Sequence, residues 1–412
     1  MMASASQQSE ESNEDNSLFG NDSTSVSVSR NGLTQPVLPV IRNCEIKERN
    51  FLVGNVTKTS SSFLGQDELD RFFPDRQLSL LVGTWNMQKC VIPSNINDFL
   101  IPKGVELAQD IYVIGVQEAA SDQREWEVKL QETLGPSYIL VYSAAHGVLH
   151  LAVFVRRDLI WFCSKFEEDV VTTRFVSQIK TKGALGISFQ FFGTSFLFLT
   201  AHFHSGETKV KERIDDYNII SQRLQLPHES SNRISSDKKD ATEKFDCVFW
   251  FGDLNFRISQ PHQHMKNELE DPETYDIKEA LKCDQLKGCM KRGQVFKGFE
   301  EPTINFMPTY KFNVNSDQYD TSKKLRVPSY TDRLLHKEKT PETIKCIKYD
   351  CVTTVKHSDH RPVYALYKVA LKPGKDSFPL TTGKFKHDIY TEAARRRAKC
   401  SKATQSMICS LF

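Results

Sequence analysis

The 412 residues contain no run of roughly eighteen apolar side chains, so nothing in the sequence reads as a membrane-spanning helix. The ten cysteines form no Cys-x-x-Cys pair and no Cys/His cluster at zinc spacing. That excludes a zinc module and points to free thiols in a reducing compartment. Net charge is only +2, so no overall field marks a nucleic-acid binder, and any attraction to anions must be local. The opening Met1-Met2-Ala3-Ser4 lacks the basic-then-apolar order of a secretory leader and the glycine that myristoylation needs. No internal repeat occurs.

What is present is ordinary globular composition, 39% hydrophobic and 26% charged, enough for one large domain with tails. Residues 1–35 are rich in Ser, Asn, Asp and Glu and cannot bury enough surface to offset ordering entropy, so disorder is expected there. Residues 36–75 read as a lead-in. From residue 76, short apolar and β-branched runs bounded by turn residues predict strands at 78–84, 111–116, 150–155, 187–192, 195–203, 246–251 and 362–369. Between them, Lys209–Leu226 sets Val210, Ile214, Tyr217 and Leu224 on one helical face, and Tyr275–Arg292 is a second helical pattern. The polar stretch 228–244 reads as a surface loop. The domain is expected to close near 372, before Pro373-Gly374, leaving 373–412 as a basic tail. Many strands with few helices predict two sheets packed face to face with helices outside.

The informative polar residues lie at strand ends. Asn86 ends the first strand and Gln117-Glu118 the second; His202 ends another, Gly252-Asp253-Leu254-Asn255 the next, and Ser358-Asp359-His360-Arg361 opens the last. Each alone has an ordinary explanation as a turn, a cap or a hydrogen-bonded histidine. Their convergence does not, because strand ends on one edge of a sheet lie together. Crowded carboxylates call for a cation, and all-oxygen ligands suit magnesium before zinc. A metal held by Glu118 and Asn86 would neutralise a phosphate oxygen or a leaving alkoxide. Asp253 would orient and deprotonate water, with Asn255 fixing its direction. His202 and His360 would donate to charge developing on phosphoryl oxygens, and Asp332 is the candidate for holding His360.

In sequence order, Gly83-Thr84-Trp85-Asn86, Gln117-Glu118, Trp250-Phe251-Gly252-Asp253-Leu254-Asn255-Phe256-Arg257, Pro328-Ser329-Tyr330-Thr331-Asp332-Arg333 and Ser358-Asp359-His360-Arg361-Pro362 resemble the inositol polyphosphate 5-phosphatases. The resemblance spans about residues 76–372. It implies an α/β fold, the four-layer sandwich of the endonuclease/exonuclease/phosphatase superfamily, shared with pancreatic deoxyribonuclease. It also implies magnesium, cleavage at the 5-position, and a metal or neighbouring role for Asp359. By the same resemblance Tyr310, Lys311, Lys324 and Arg326 would read the adjacent 4-phosphate, work suited to cations and a phenol. Thr181–Gly186, Phe192–Phe198, Gly206, Lys209-Val210, Glu212-Arg213 and Phe296–Phe299 are similar to the lipid-directed type IV branch. That branch acts on phosphatidylinositol 4,5-bisphosphate and 3,4,5-trisphosphate and is associated with primary cilia. Two features depart from it: the proline-rich N-terminal region is absent, and its ciliary Phe-Asp-Arg-Glu-Leu-Tyr reads Phe385-Lys386-His387-Asp388-Ile389-Tyr390.

The final Cys409-Ser410-Leu411-Phe412 fits a prenylation box, geranylgeranyl before farnesyl, and Arg395-Arg396-Arg397, Lys399 and Lys402 precede it. One lipid chain binds marginally and a basic run supplies a second signal. The expectation is lipid-anchored residence on the cytoplasmic face of membranes, at cilium or Golgi, with a phosphoinositide substrate, a prenyl-binding carrier as partner, and no nucleic acid. Three competing functions are a phosphatase of soluble inositol phosphates, a nuclease of the same fold, and a prenylated protein that only binds phosphoinositides. The four candidate 4-phosphate readers and the tail distinguish the nuclease from the phosphatase. The full set of acid, base and metal candidates argues against mere binding.

Overall fold

A computed structural model describes residues 63–105, 108–173, 182–226, 240–269, 275–375 and 379–409. The expected disordered region, most of the lead-in, most of the 228–244 loop and residues 410–412 lie outside the described residues. Two sheets form the centre. One has six strands in the order β10-β11-β1-β2-β4-β3: β1 (Gln77–Asn86), β2 (Ile111–Gln117), β3 (Tyr138–His146), β4 (Leu149–Arg156), β10 (Ile344–Cys351) and β11 (Val363–Ala370). The other has five in the order β5-β6-β7-β8-β9: β5 (Glu167–Thr172), β6 (Gly183–Phe191), β7 (Thr194–His202), β8 (Cys247–Asp253) and β9 (Asp332–Glu338).

Successive side chains on a strand point to opposite faces, and both faces here are apolar. Leu80, Val82, Val113 and Val153 of the first sheet share one buried cluster with Phe196, Phe198, Phe249 and Phe251 of the second. The alternate residues Leu197, Leu199, Val248 and Trp250 face away. They pack against Tyr217 and Ile220 of an outer helix, with Phe296 and Phe299. At this spacing a buried aromatic side chain contributes about 2–3 kcal/mol.

Eight helices accompany the strands among the described residues: α1 (Gln66–Phe72), α2 (Asn97–Leu100), α3 (Gln123–Leu134), α4 (Val210–Arg223), α5 (His262–Leu269), α6 (Ile277–Lys282), α7 (Gln285–Lys291) and α8 (His387–Cys409). With α4 over one sheet and α3 and α8 over the other, the expected four layers are present. The single helix expected over Tyr275–Arg292 is two. Asp284 breaks it: its carboxylate caps α7 through Lys287 N (2.9 Å) and binds the fully buried Arg333 (3.0 Å).

Both expected domain boundaries move outward. Leu64, Leu69 and Phe73 are buried in the core, so packing begins before residue 76. Beyond Pro373-Gly374 the chain does not leave the body. Lys165 N donates to Pro379 O (2.9 Å) and Thr381 N to Cys163 O (3.0 Å). Then α8 lies on α3, with Ile389 and Ala393 buried. Polar contacts hold it there. Arg396 makes two bonds to Glu125 (2.6 and 2.8 Å) and Arg397 donates to Glu132 O (2.6 Å), while Arg395 pairs within the helix with Glu392 (2.6 Å). The arginine run expected to face lipid is thus partnered within the chain. The departed segment Phe385–Tyr390 opens this helix, with Lys386 3.5 Å from Glu127. The cysteines at 90, 163, 247, 283, 289, 346, 351 and 400 form no disulfide among the described residues.

Candidate active site

Each sheet contains one parallel pair, β1 with β2 and β7 with β8, and parallel neighbours end on the same side. Register therefore sets Asn86 beside Gln117 and His202 beside Asp253. The antiparallel β9 begins where β8 ends, setting Asp332 opposite Asp253. His360 lies three residues before β11, the antiparallel partner of β1. The two sheets approach closely beneath this edge. A Cβ at Gly115 would fall 2.5 Å from the Phe251 ring and 2.6 Å from Thr200 Oγ1. Gln117 bridges the gap, donating to Thr200 Oγ1 (2.9 Å) and Thr84 Oγ1 (3.1 Å).

Above that floor, Asp253 Oδ2 accepts from Asn86 Nδ2 (3.0 Å) and faces His202 Nε2 (3.1 Å), while Oδ1 accepts from Asn255 N (3.1 Å). Burial alone would raise the Asp253 pKa. His202, His360 and Lys182 outweigh it and hold the carboxyl well below the usual range. Asn255 has left-handed backbone (φ +57°), donates to Phe203 O (3.0 Å), and accepts from Arg257.

The two histidines are driven apart. Burial and the adjacent Lys182 ammonium lower the His202 pKa below its ordinary value, against the pull of Asp253. Burial also opposes charge on His360, but Asp332, Asp253 and Asp359 overcome it and raise the pKa to about 9. Asp332 Oδ2 lies 2.9 Å from His360 Nδ1 and accepts from Thr309 Oγ1 (2.7 Å) and Thr331 Oγ1 (3.0 Å). Asp253, Asp332 and His360 bring one ligating atom each within 4.8 Å of one another. A protonated imidazole has no lone pair for a metal; His360 is bonded to Asp332, with the Asp253 carboxylate nearby as a second negative charge.

Glu118, also in left-handed backbone (φ +46°), is the carboxylate that fits a divalent ion. Its backbone O accepts from Lys89 N (2.8 Å), but its carboxylate, one-third exposed and 4.0 Å from His202 Nε2, accepts no hydrogen bond among the described residues. The Asn86 Oδ1 next to it accepts one bond, from Gln88 N (3.0 Å), and keeps a second lone pair. Asp359 lies between Lys311 Nζ (3.7 Å) and His360 Nε2 (3.9 Å), and its N donates to Gln88 Oε1 (3.3 Å), the residue whose N is bonded to Asn86 Oδ1.

The expected 4-phosphate readers fall in two groups. Tyr310 packs on the His360 ring (centroids 4.4 Å apart), with the Arg257 guanidinium 4.3 Å from its own centroid. Lys311 is the next residue. Arg326 pairs with Glu207 (3.3 Å), and the exposed Lys324, among the described residues, has only its backbone N bonded, to Ser322 Oγ (3.3 Å). Lys182 and Arg257 had not been assigned to the site. Arg257, two residues beyond Asn255 in Gly-Asp-Leu-Asn-Phe-Arg, had a signal in its motif. Lys182 had one only in register, since Gly183 pairs with His202.

Residues 83–366 match endonuclease/exonuclease/phosphatase family 2. The chain belongs to this family. Within it, the chain is 51% identical over 364 residues to the rat phosphatidylinositol polyphosphate 5-phosphatase type IV. That match covers 88% of this chain and 56% of the relative, so the chain spans little more than half the length of the curated relatives it matches. The motif resemblance and the fold class expected from it are borne out. Two solved structures show how widely the family fold is used. The inositol polyphosphate 5-phosphatase domain of SPsynaptojanin was solved with inositol (1,4)-bisphosphate and a calcium ion. It superposes with a TM-score of 0.63 at 27% identity, covering 87% of this chain and 99% of that one. The Cimex nitrophorin ferrous NO complex does so with a TM-score of 0.57 at 28% identity, covering 72% and 99%. A fold carried by both a phosphatase domain and a nitrophorin leaves the activity to the side chains.

Proposed function

We propose that this chain hydrolyses the 5-phosphate of phosphoinositides, phosphatidylinositol 4,5-bisphosphate and 3,4,5-trisphosphate, with magnesium. One observation carries the reading: a buried Asp253 and a charged His360 sit at the neighbouring strand ends of the two sheets with the partly open Glu118 carboxylate, beside Tyr310 and Lys311. Glu118 and Asn86 would hold the ion, which when bound neutralises phosphate oxygen charge. The chain's own groups do the rest. Asp253 accepts a hydrogen bond from the attacking water. Its low pKa suits it to orient that water rather than to keep the proton. Asn255, held by Phe203 O and Arg257, fixes the direction of approach. The His360 imidazolium donates to a phosphoryl oxygen as negative charge grows, and Asp332 keeps it charged. As water oxygen bonds to phosphorus, the bond from phosphorus to the inositol oxygen breaks; the proton the water gives up passes through Asp253 to solvent, and the leaving inositol oxygen takes one proton from solvent in return.

The relatives' names and the inositol bisphosphate bound to the SPsynaptojanin domain favour inositol substrates over DNA. A phosphate-release panel over phosphoinositides, soluble inositol phosphates and duplex DNA, with positional product analysis, tests this. DNA nicking without lipid dephosphorylation would overturn it. Membrane attachment through a prenylated Cys409 rests on sequence alone. With Arg395, Arg396 and Arg397 already paired, its electrostatic support comes from the remaining lysines. Unchanged membrane retention of Cys409→Ser would refute it.

A further inference from the structure

We propose that Glu207 is a specificity-determining residue: it occupies Arg326 until a phosphate next to the scissile one displaces it. The inference rests on the phosphatase reading above and adds to it a residue outside the four candidate phosphate readers. Glu207 lies five residues past His202, and its Oε1 is 3.3 Å from Arg326 Nη1. Both side chains are partly open to solvent, so a solute anion has access to the pair.

The backbone beneath each partner is fixed. Arg213, fully buried, donates to His204 O (3.1 Å), Gly206 O (2.7 Å) and Gln285 Oε1 (2.6 Å). Gln285 Nε2 in turn holds Glu207 O (3.0 Å). Arg213 has no carboxylate within ion-pair distance among the described residues, and burial lowers its pKa to about 10. Burying a guanidinium to grip backbone carbonyls is costly, so the conformation of this loop is strongly determined. On the other side, Asp320 Oδ2 accepts from Arg326 N (3.0 Å) while Asp320 N donates to Lys311 O (2.8 Å). Asp320 thus ties the backbone of Arg326, through its carboxylate, to that of Lys311, through its own N–H.

Two rigid loops therefore present a carboxylate to an arginine beside the site. A carboxylate there stands in for a phosphate, with less charge and fewer acceptor oxygens. A vicinal phosphate must displace it, and an anion lacking that phosphate need not. A partly exposed pair of this kind is worth a factor of about two to five in binding. If Glu207 instead positioned Arg326 for substrate, its removal would act in the opposite direction.

The test uses the full chain and Glu207→Gln, with short-chain soluble phosphoinositides phosphorylated at 4 and 5 or at 3 and 5. Glu207→Gln is expected to lower KM for the 4,5-bisphosphate about two- to five-fold at unchanged kcat, and to leave the 3,5-bisphosphate unaffected. Calorimetric binding of inositol 1,4-bisphosphate should tighten by the same factor, and Arg326→Ala should abolish the difference. An unchanged or raised KM on the 4,5-bisphosphate, or an equal fall on both lipids, would overturn the proposal. Failure of the wild type to turn over either lipid would count against the phosphatase reading alone. The binding arm would then still decide the role of Glu207.

Discussion

Replacing Asp332 by Asn removes one charge at nearly constant shape, and its consequence can be worked out from the His360 environment. Burial disfavours charged His360, yet its pKa stands at about 9 because Asp332 faces Nδ1 at 2.9 Å, with Asp253 and Asp359 beyond. Against an ordinary 6.5, that elevation is equivalent to on the order of 3 kcal/mol of preference for the charged, folded form. The folded pKa is raised, so this stability is fully present below pH 6.5 and is lost as pH climbs through 9. In Asp332→Asn the largest favourable partner is gone and burial prevails, so His360 should fall back toward or below its ordinary value. Wild-type urea midpoints should then decline from pH 6.5 to 9, and the variant's decline over that window should flatten. If the imidazolium donates in the rate-limiting step, the variant loses about 10²–10³ in kcat at pH 7.5, and its alkaline limb moves to lower pH. Histidine NMR titration, denaturant melts and pH–rate profiles read the three effects separately. An unmoved His360 titration, or a wild-type pH profile in the variant, would show that Asp332 does not set the charge state.

Three further outcomes are expected. Asp253→Ala should abolish phosphate release while leaving the circular dichroism spectrum intact, and near-normal turnover would remove Asp253 from the mechanism. Lys311→Ala should weaken substrates carrying a 4-phosphate by about 2 kcal/mol in kcat/KM, with little change on those lacking it; equal loss on both would refute its role. Gly252→Ala should destabilise the fold by about 3 kcal/mol or more in denaturant melts. Gly252 sits at φ +139° and a Cβ there would meet Ala201 O at 2.0 Å, so a small effect would mean that this edge is pliable.

The seven strands legible in the sequence are all interior to their sheets, and the four unread ones, β3, β5, β9 and β10, are the four edges. An interior strand between two covered faces must be apolar throughout, which is the pattern that periodicity detects. Edges tolerate charge. Glu167-Glu168-Asp169 in β5, Asp332-Arg333 in β9 and Lys345 and Lys348 in β10 hide the strand signal, and β10 is further broken by a bulge between Cys346 and Lys348. β3 is the exception, since Tyr138–Val141 is an apolar run that the sequence displays. The outward shift of both boundaries has a related cause. Isolated apolar residues such as Leu64, Leu69 and Ile389 complete a core assembled from distant strands, and no local pattern reveals a partner several hundred residues away.

The site was legible for a different reason. Carboxylates, amides and histidines at the ends of buried strands break an apolar pattern at the positions where strand register brings the chain ends together. Asn86, Glu118, His202, Asp253 and His360 belong to that class, because each is placed by a ladder or lies within three residues of one; Asp332, on the unread β9, is marked instead by its Pro-Ser-Tyr-Thr-Asp-Arg motif. A shift of one residue in β8 against β7 would turn Asp253 to the opposite face and part it from His202. Glu207 escapes such reading and Arg326 shows itself only through the family resemblance, because loops hold them through Arg213, Gln285 and Asp320 rather than through register. Lys182, just outside β6, is fixed by the pairing of Gly183 with His202, which becomes visible only once the strands are assembled. Groups that perform hydrolysis on this fold are therefore anchored by the sheets, while those that choose among phosphorylated rings ride on loops. Differences between relatives in substrate choice should concentrate in residues 204–207 and 320–326 and leave the strand ends unchanged.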